Sequence, residues 1–251
     1  MHRPSKTLIL RQRLLVRLGR KYDLTTERVH VGSLSFDFTR IANPDRVLDE
    51  VARDLDLHER LHGRQAAGQA MHLPYWAELW DSAFGIGQFL ASPCLPLSLS
   101  PFFVSRVSTV LDLGCGMGLA GTVAASLGAR VLFADLEQPA LLFARLNSLP
   151  WWQRVRTRQL DWQRDRLNEK FDLIIGADIL YEKQQWPFLE PFWREHLKPG
   201  ATVLLGEPGR QTGDLFVEWI RDRGWKLEIA EQAVSTRPKP IRLFLLRAAA
   251  D

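Results

Sequence analysis

Cysteines and long apolar runs are scarce in this chain of 251 residues. Cys94 and Cys115 are the only cysteines, which excludes a disulfide-stapled scaffold. No stretch approaches the roughly 18 apolar residues that cross a bilayer, and no repeat or low-complexity segment is present. With 46% apolar and 25% charged residues, the sequence predicts a soluble domain with a hydrophobic core, which we expect in the cytoplasm.

Acidic residues are absent from residues 1–21, which contain seven lysines and arginines. The whole chain carries +4, so residues 22–251 carry −3, and the basic balance belongs to this N-terminal arm. Its leucines recur at helical spacing, which predicts an amphipathic helix that packs one leucine stripe on the body. An organelle transit segment, a contact with an anionic surface and a partner-binding helix are the alternatives.

Strands and helices alternate from about residue 107 onward. The predicted strands are Val107–Leu113, Arg130–Asp135, Val155–Trp162, Phe171–Asp178, Ala201–Gly206, Lys226–Val234 and Ile241–Arg247. The predicted helices between them are Gly118–Leu127, Gln138–Leu146, Gln184–Leu197 and Gly213–Arg223. This alternation predicts a doubly wound α/β sheet, with the more polar third strand nearer one face or edge. Only a short proline-containing link joins the last two strands, so the seventh strand is predicted to be antiparallel.

The residues before the sheet show a different pattern. Val29–Thr39 alternates between apolar and polar residues, which predicts a hairpin-like strand pair. Pro44–Leu57 and Trp76–Leu90 are predicted to be helical. Three prolines mark the linker into the core, namely Pro93, Pro96 and Pro101.

Three alternate glycines lie between the first core strand and the helix that follows it. Gly114, Gly116 and Gly118 let the backbone turn tightly and approach a ligand, and the helix N-terminus offers free N–H groups to an anion. Asp112 precedes the first glycine, and Asp135 ends the next strand, where an acid can bind the hydroxyls of a ribose. The pattern therefore predicts a nucleoside-binding cleft.

The spacing argues against a dinucleotide. A Gly-x-Gly-x-x-Gly motif would place its third glycine at Leu119, and Asp112 would face a pyrophosphate of like charge. An amino-acid-bearing nucleoside fits better, because its ammonium can meet Asp112 while loop amides meet its carboxylate. S-adenosylmethionine has these groups. Cys115 is interpreted as a small loop residue that lines the cofactor, not as a nucleophile.

Two residues at the end of the third strand complete the predicted pocket. Asp161 can accept a hydrogen bond from an adenine amino group, and Trp162 can lie against the base. Core packing is the alternative for Trp162. Ligands of open α/β sheets bind at this edge of the sheet, which favours the cofactor interpretation.

The chain resembles the seven-β-strand S-adenosylmethionine-dependent methyltransferases, and more narrowly methyltransferase family 16, which contains protein-lysine methyltransferases. The segments that carry the resemblance are Leu73–Trp80, Val110–Gly118, Asp135, Leu160–Trp162 and Ala177–Tyr181. The resemblance implies a class I, Rossmann-like methyltransferase fold. It also implies that Asp178 and Tyr181 line the methyl-acceptor channel, that Trp80 closes over the cofactor, and that Leu136 and Ala177 contact it.

One departure from the sequence pattern of related methyltransferases narrows the class of substrate. Methyltransferases that act on adenine commonly have an Asn/Asp-Pro-Pro-aromatic element after the fourth strand, and Asp178–Tyr181 lacks both prolines. This argues against a nucleic acid, as does a cleft lined by aspartates. The histidines show no spacing typical of a metal site, so we expect no metal.

The sequence thus predicts transfer of a methyl group from S-adenosylmethionine to a lysine of a protein substrate. The alternatives are the same transfer to a small amine or heterocycle, a non-catalytic S-adenosylmethionine-binding module, and a nucleic-acid enzyme guided by the basic arm. The predicted parts are a basic arm (1–27), an N-terminal extension with the cofactor lid (28–101) and the methyltransferase core (102–251).

Overall fold

The computed structural model of the protein describes residues 6–62, 74–92 and 108–248. The predicted features outside these ranges are Leu73, the linker prolines Pro93, Pro96 and Pro101, the boundary between residues 101 and 102, and Val107. Within the described ranges, no helix combines the length and the apolar character that a membrane span needs.

The strands are numbered along the chain. They are β1 Leu24–Val31, β2 Leu34–Ile41, β3 Thr109–Leu113, β4 Arg130–Asp135, β5 Val155–Gln159, β6 Phe171–Ala177, β7 Leu197–Glu207, β8 Trp225–Gln232 and β9 Ile241–Ala248. The α-helices are α1 Lys6–Gly19, α2 Pro44–His62, α3 Asp81–Leu90, α4 Leu119–Ser126, α5 Gln138–Asn147, α6 Trp186–His196 and α7 Gln211–Arg221.

Seven strands of the described chain form one sheet in the order β5-β4-β3-β6-β7-β9-β8. The first five pair in parallel, whereas β9 runs antiparallel to both of its neighbours. The predicted α/β sheet with an antiparallel last strand is therefore confirmed. β5 forms one edge and is largely exposed, as its polar alternation predicts.

One predicted helix is wrong in part. Trp76–Leu90 contains a 3₁₀ turn, Tyr75–Ala77, and the separate helix α3. Glu78 and Trp80 between them have extended backbones. The Trp80 indole N–H donates to the Tyr75 carbonyl oxygen at 2.9 Å, which fixes this break in the helix and folds Trp80 back over the turn.

The predicted third strand is also too long. Val155–Trp162 was expected to be extended throughout, but β5 ends at Gln159. Asp161 begins a tight turn after it, because its Oδ1 accepts the N–H of Gln163 and its own N–H donates to Asp165 Oδ2. Residues 160–162 of the predicted strand therefore belong to a loop, which lies at the candidate site.

The N-terminal part packs on the sheet domain. α1 is helical as predicted and buries Leu14 and Leu18 of its leucine stripe. β1 and β2 pair antiparallel, which confirms the hairpin, and β1 begins within the residues predicted for the arm. Buried Asn147, at the end of α5, accepts the Thr39 N–H and donates to the carbonyl oxygens of Thr39 and Met117. This amide joins the hairpin to the loop after β3.

Helices cover both faces of the sheet. On one face, α1, α3, α4, α5 and the hairpin enclose a core that includes Val123 and Phe143. On the other face, α6 and α7 pack around Trp193 and Phe216. Burial on both faces is why the central strands read as nearly continuous apolar runs.

Candidate active site

The predicted site residues gather at one edge of the sheet. The parallel strands β3, β4, β5 and β6 place their carboxyl ends together there. The strand order reverses at β3, and open α/β sheets bind ligands at such switch points. Apart from Trp80, each predicted site residue lies at one of these strand ends or in the loop that follows.

The glycine loop, residues 114–118, follows β3. Its glycines have φ values of +63° at Gly114, +51° at Gly116 and +83° at Gly118, a conformation that L side chains rarely adopt. A Cβ on Gly118 would lie 2.7 Å from Ala144 Cβ, so this glycine lets α4 approach α5. A Cβ on Gly116 would meet, among the described residues, only the Trp76 carbonyl oxygen at 3.7 Å. The loop is therefore packed on one side and roomy on the other.

Asp112 braces this loop from beneath. Its side chain is buried, and Oδ2 accepts the N–H of Gly121 in the first turn of α4 at 2.9 Å. Burial raises the pKa of Asp112 to about 8, the Gly121 N–H lowers it, and nearby Asp135 raises it further. Contact with a bound ammonium, as the sequence predicts, would fall to the other oxygen, Oδ1.

Asp112→Asn is expected to stabilise the ligand-free protein increasingly as the pH rises towards 8. The folded carboxyl, with its pKa of about 8, holds a proton that the unfolded one releases above about pH 4. Wild-type stability therefore falls between these values, by up to about 1.4 kcal/mol per pH unit. The asparagine oxygen can still accept the Gly121 N–H but does not titrate.

Thermal unfolding from about pH 5 to 9 measures this difference. Asp37→Asn, an exposed hairpin carboxylate paired with Arg28, is the control and is expected to show no widening gap. A gap between Asp112→Asn and wild type that is independent of pH contradicts the prediction.

Asp135 is held at the end of β4 by two backbone donors. Gly116 N–H donates to Oδ2 and Glu137 N–H to Oδ1, each at 2.9 Å. Burial raises the pKa of Asp135 to about 6, although these two N–H groups oppose the shift. Its carboxylate thus lies directly beneath the glycine loop, next to Leu136, whose carbonyl oxygen accepts from Gln159.

Cys115 lies in the same loop as a free thiol. Burial and the neighbouring Asp135 and Asp112 raise its pKa well above the ordinary value. Its N–H donates to the Ala134 carbonyl oxygen at 3.1 Å, which ties the loop to β4. A protonated thiol in an acidic surrounding is a poor nucleophile, as the sequence interpretation expects.

Asp161 and Trp162 lie beside the glycine loop, after β5. A Cβ on Gly114 would lie 3.6 Å from Trp162 Cζ3, so the indole borders the cleft. Its Nε1–H donates to Gln185 Oε1 at 3.0 Å. Asp161 uses Oδ1 to cap its own turn, and its Oδ2 lies 3.6 Å from Nε of the largely exposed Arg164.

Asp178 and Tyr181 follow β6 on the other side of the loop. Asp178 has a φ of +57°, a strained value for a residue other than glycine, and its N–H donates to the Gly206 carbonyl oxygen. Tyr181 is 41% exposed. Burial and nearby negative groups, first among them Glu182, raise its pKa to about 12, so its phenol is neutral at physiological pH.

An aromatic segment on the N-terminal side faces these residues. The Tyr75 ring meets the Tyr181 ring edge-on, with centroids 5.5 Å apart, and lies 6.3 Å from the Trp80 ring. Trp76 packs behind them against Tyr22. The 3₁₀ turn therefore borders both the glycine loop and the Asp178–Tyr181 segment, where a lid is expected. No metal-binding cluster occurs among the residues that the structure describes.

A family model described as "Lysine methyltransferase" matches residues 69–221, more than half of the chain. The chain belongs to this lysine methyltransferase family. The predicted membership of methyltransferase family 16 is thereby confirmed. The matched residues include the glycine loop, the Asp178–Tyr181 segment and the lid.

Relatives within the lysine methyltransferase family share about a third of their aligned residues with the chain. Protein N-lysine methyltransferase METTL21A of Xenopus tropicalis is 36% identical over 137 residues, which are 51% of this chain and 58% of that protein. Electron transfer flavoprotein beta subunit lysine methyltransferase of Xenopus laevis is 32% identical over 143 residues, 55% of this chain and 53% of that protein. The chain thus spans about half the length of the curated relatives it matches.

A solved structure agrees with the fold of this lysine methyltransferase family member. Glycopeptide N-methyltransferase MtfA superposes with a TM-score of 0.51 at 18% identity, covering 60% of this chain and 92% of MtfA. At this identity the likeness concerns the fold alone.

Sequence reasoning missed two residues of the candidate site. Arg210, after β7, forms an ion pair with Asp178, and Tyr75 packs on Tyr181. The sequence did contain a signal for Arg210. It follows β7, and because β6 and β7 are neighbouring parallel strands, their carboxyl ends lie side by side. The signal for Tyr75 was weaker. It is adjacent to Trp76 in the predicted lid segment, but it belongs to no motif of its own.

Proposed function

We propose that the protein transfers a methyl group from S-adenosylmethionine to the side-chain amine of a lysine in a protein substrate. The observation that carries this proposal is a juxtaposition at one sheet edge. The glycine loop with Asp135 lies between the Asp161–Trp162 turn and the Asp178–Tyr181 segment. The proposed nucleoside pocket and the proposed acceptor channel would thus adjoin each other.

The residues present fit S-adenosylmethionine, because its groups meet complementary partners. Asp135 would accept from the ribose hydroxyls, while Asp161 and Trp162 would hold the adenine. The open side of the glycine loop would receive the amino-acid part, with Asp112 beneath its ammonium. Further contacts are proposed for the residues that border this pocket, namely Trp80, Gly114, Cys115, Gly116, Gly118, Leu136 and Ala177. S-adenosylmethionine supplies an electrophilic methyl group on a positively charged sulfur.

Placement and desolvation are the tasks left to the protein. A lysine amine must lose a proton before its lone pair can form the new C–N bond, as the methyl–sulfur bond breaks. Asp178 is held by Arg210 through both of its carboxylate oxygens and can orient the incoming ammonium. Tyr181, neutral with a pKa of about 12, acts as an aromatic wall and not as the base. The proton passes to Asp178 or to solvent.

A protein substrate is supported by the relatives, which are named for methylation of protein lysines. We propose no nucleic-acid substrate, because aspartates line the cleft and would repel phosphates. We propose a cytoplasmic location, because the free thiol of Cys115 is typical of proteins in a reducing compartment.

The decisive experiment mixes the purified protein with radiolabelled S-adenosylmethionine and a heat-treated cell extract. We expect label in intact protein bands and a mass increase of methyl groups on lysine in their tryptic peptides. Label confined to small molecules would replace this proposal by methylation of a small amine. Cofactor binding without any transfer would instead indicate a binding module. Protein boiled before mixing is the control.

A further inference from the structure

Arg210 forms a two-point contact with Asp178. Its Nη2 lies 2.8 Å from Oδ2 and its Nε 3.3 Å from Oδ1. The Asp178 side chain is only 6% exposed, whereas that of Arg210 is 42% exposed. A planar guanidinium that meets both carboxylate oxygens fixes their orientation as well as their charge.

Arg210 is itself fixed by a buried network behind the site. Its N–H donates to Glu207 Oε1 at 2.5 Å, and its carbonyl oxygen accepts from Arg242 Nη2 at 3.1 Å. Glu207 is 2% exposed and pairs with Arg242. These contacts fix the backbone of Arg210 just after β7, beside the candidate site.

Arg210 also reaches the lid segment. Its guanidinium carbon lies 5.6 Å from the centre of the Trp80 ring, within range of a cation–π contact. One side chain thus touches the carboxylate of the acceptor segment and the indole that the family resemblance assigns to the cofactor.

The charges around Asp178 come from three sides. Burial raises its pKa, and Arg210 opposes this most strongly; Glu207 raises it and Arg237 lowers it. Tyr181, on the same segment, also interacts electrostatically with Asp178 and is a neutral phenol. Arg210 is therefore the principal positive group that lowers the pKa of this buried carboxyl against the effect of burial.

We propose that Arg210 is a positioning residue for methyl transfer, which orients Asp178, keeps it ionised and sets the pH at which the acceptor lysine reacts. This inference rests on the proposed function. Loss of the guanidinium charge stabilises the protonated form of any neighbouring group. Asp178 and the acceptor amine would both hold their protons to a higher pH, so both effects have the same sign.

The test is the pH dependence of methyl incorporation in Arg210→Gln. The rate is measured from about pH 6 to 10 with saturating labelled S-adenosylmethionine and a limiting amount of heat-treated, gel-filtered cell extract, so that it follows kcat/KM. The acidic limb is the part of the pH profile in which the rate rises with pH. In Arg210→Gln we expect this limb to lie about one pH unit higher than in wild type, so that the rate at pH 7 is approximately tenfold lower. Cofactor affinity by calorimetry is expected to stay within about twofold of wild type.

A conservative variant and a matched control separate this role from simple stabilisation. Arg210→Lys keeps the charge and loses the two-point geometry, so we expect a lower rate with the limb at its wild-type pH. Arg194 is the matched arginine, because it pairs with a largely buried carboxylate, Glu190, and lies 4.8 Å from the Trp225 ring, away from the site. Arg194→Gln is expected to leave the limb in place.

A limb that stays at its wild-type pH in Arg210→Gln, or moves equally in Arg210→Lys, would overturn the inference. Failure of the proposed function has a different signature, because wild type itself would then transfer no label to protein lysines. If Arg210→Gln does not fold, which calorimetry and thermal unfolding report, Arg210→Lys still decides. A moved limb in that variant rejects the charge-based role, and an unmoved limb with a lower rate supports it.

Discussion

Asp178→Asn is expected to lower the turnover of methyl transfer to lysine on the order of 100-fold while cofactor affinity stays within about twofold of wild type. Asparagine tolerates the positive φ of this position better than most residues do. It also keeps the shape of the side chain. The variant therefore removes the charge and the symmetric acceptor without adding backbone strain. What is lost is the group that we propose orients the incoming ammonium.

The strand that precedes Asp178 offers a matched control for this experiment. Asp172 lies near the start of β6, at the opposite end of the strand from the candidate site. It pairs with Lys198 and accepts hydrogen bonds from Thr109. Asp172→Asn is expected to leave turnover per folded enzyme unchanged. Single-turnover assays and calorimetry measure the two quantities separately. Full turnover in Asp178→Asn would remove this residue from the acceptor channel.

Asp135→Ala is expected to weaken the binding of S-adenosylmethionine by about 1–3 kcal/mol, the scale for hydrogen bonds to a charged group. This is roughly a 5- to 150-fold rise in Kd. The change removes the proposed partner of the ribose hydroxyls. It also leaves the N–H groups of Gly116 and Glu137 without their acceptor, so the glycine loop loses a support from beneath.

Titration calorimetry with S-adenosylmethionine measures this effect. Asp37→Ala is the control, since Asp37 is an exposed carboxylate of the hairpin whose partner is Arg28, and its Kd is expected to equal that of wild type. A Kd for Asp135→Ala that stays within twofold of wild type would show that the ribose lies elsewhere. Circular dichroism of both variants reports whether the fold is intact.

Local sequence pattern was sufficient to predict the sheet and to place most of the candidate site residues at the carboxyl ends of its strands. The run of apolar β-branched residues, the alternate glycines and Asp135 at a strand end each follow from chain geometry over a few residues. The antiparallel β9 follows from the short proline-containing link. These features are local, because each depends on residues that are close in sequence.

The features that sequence reasoning missed depend on individual side-chain contacts, which no residue pattern in the sequence specifies. Arg210 follows Pro208-Gly209, which alone indicates only a turn, and its partner Asp178 is recognisable once β6 and β7 are neighbours. The break before α3 depends on an indole that bonds back to Tyr75. Similarly, no pattern in the sequence shows that Asp112 bonds to Gly121 beneath the loop.

The buried amide of Asn147 bears on what counts as a minimal catalytic fragment. Its three hydrogen bonds join the backbone of Thr39 in the hairpin to Met117 in the glycine loop. A chain trimmed to the seven-stranded sheet would keep Asp112, Asp135 and Asp178, yet the loop above them would lose one of its anchors. The part of the protein that shapes the proposed cofactor pocket is therefore longer than the part that forms the sheet, and it includes the hairpin.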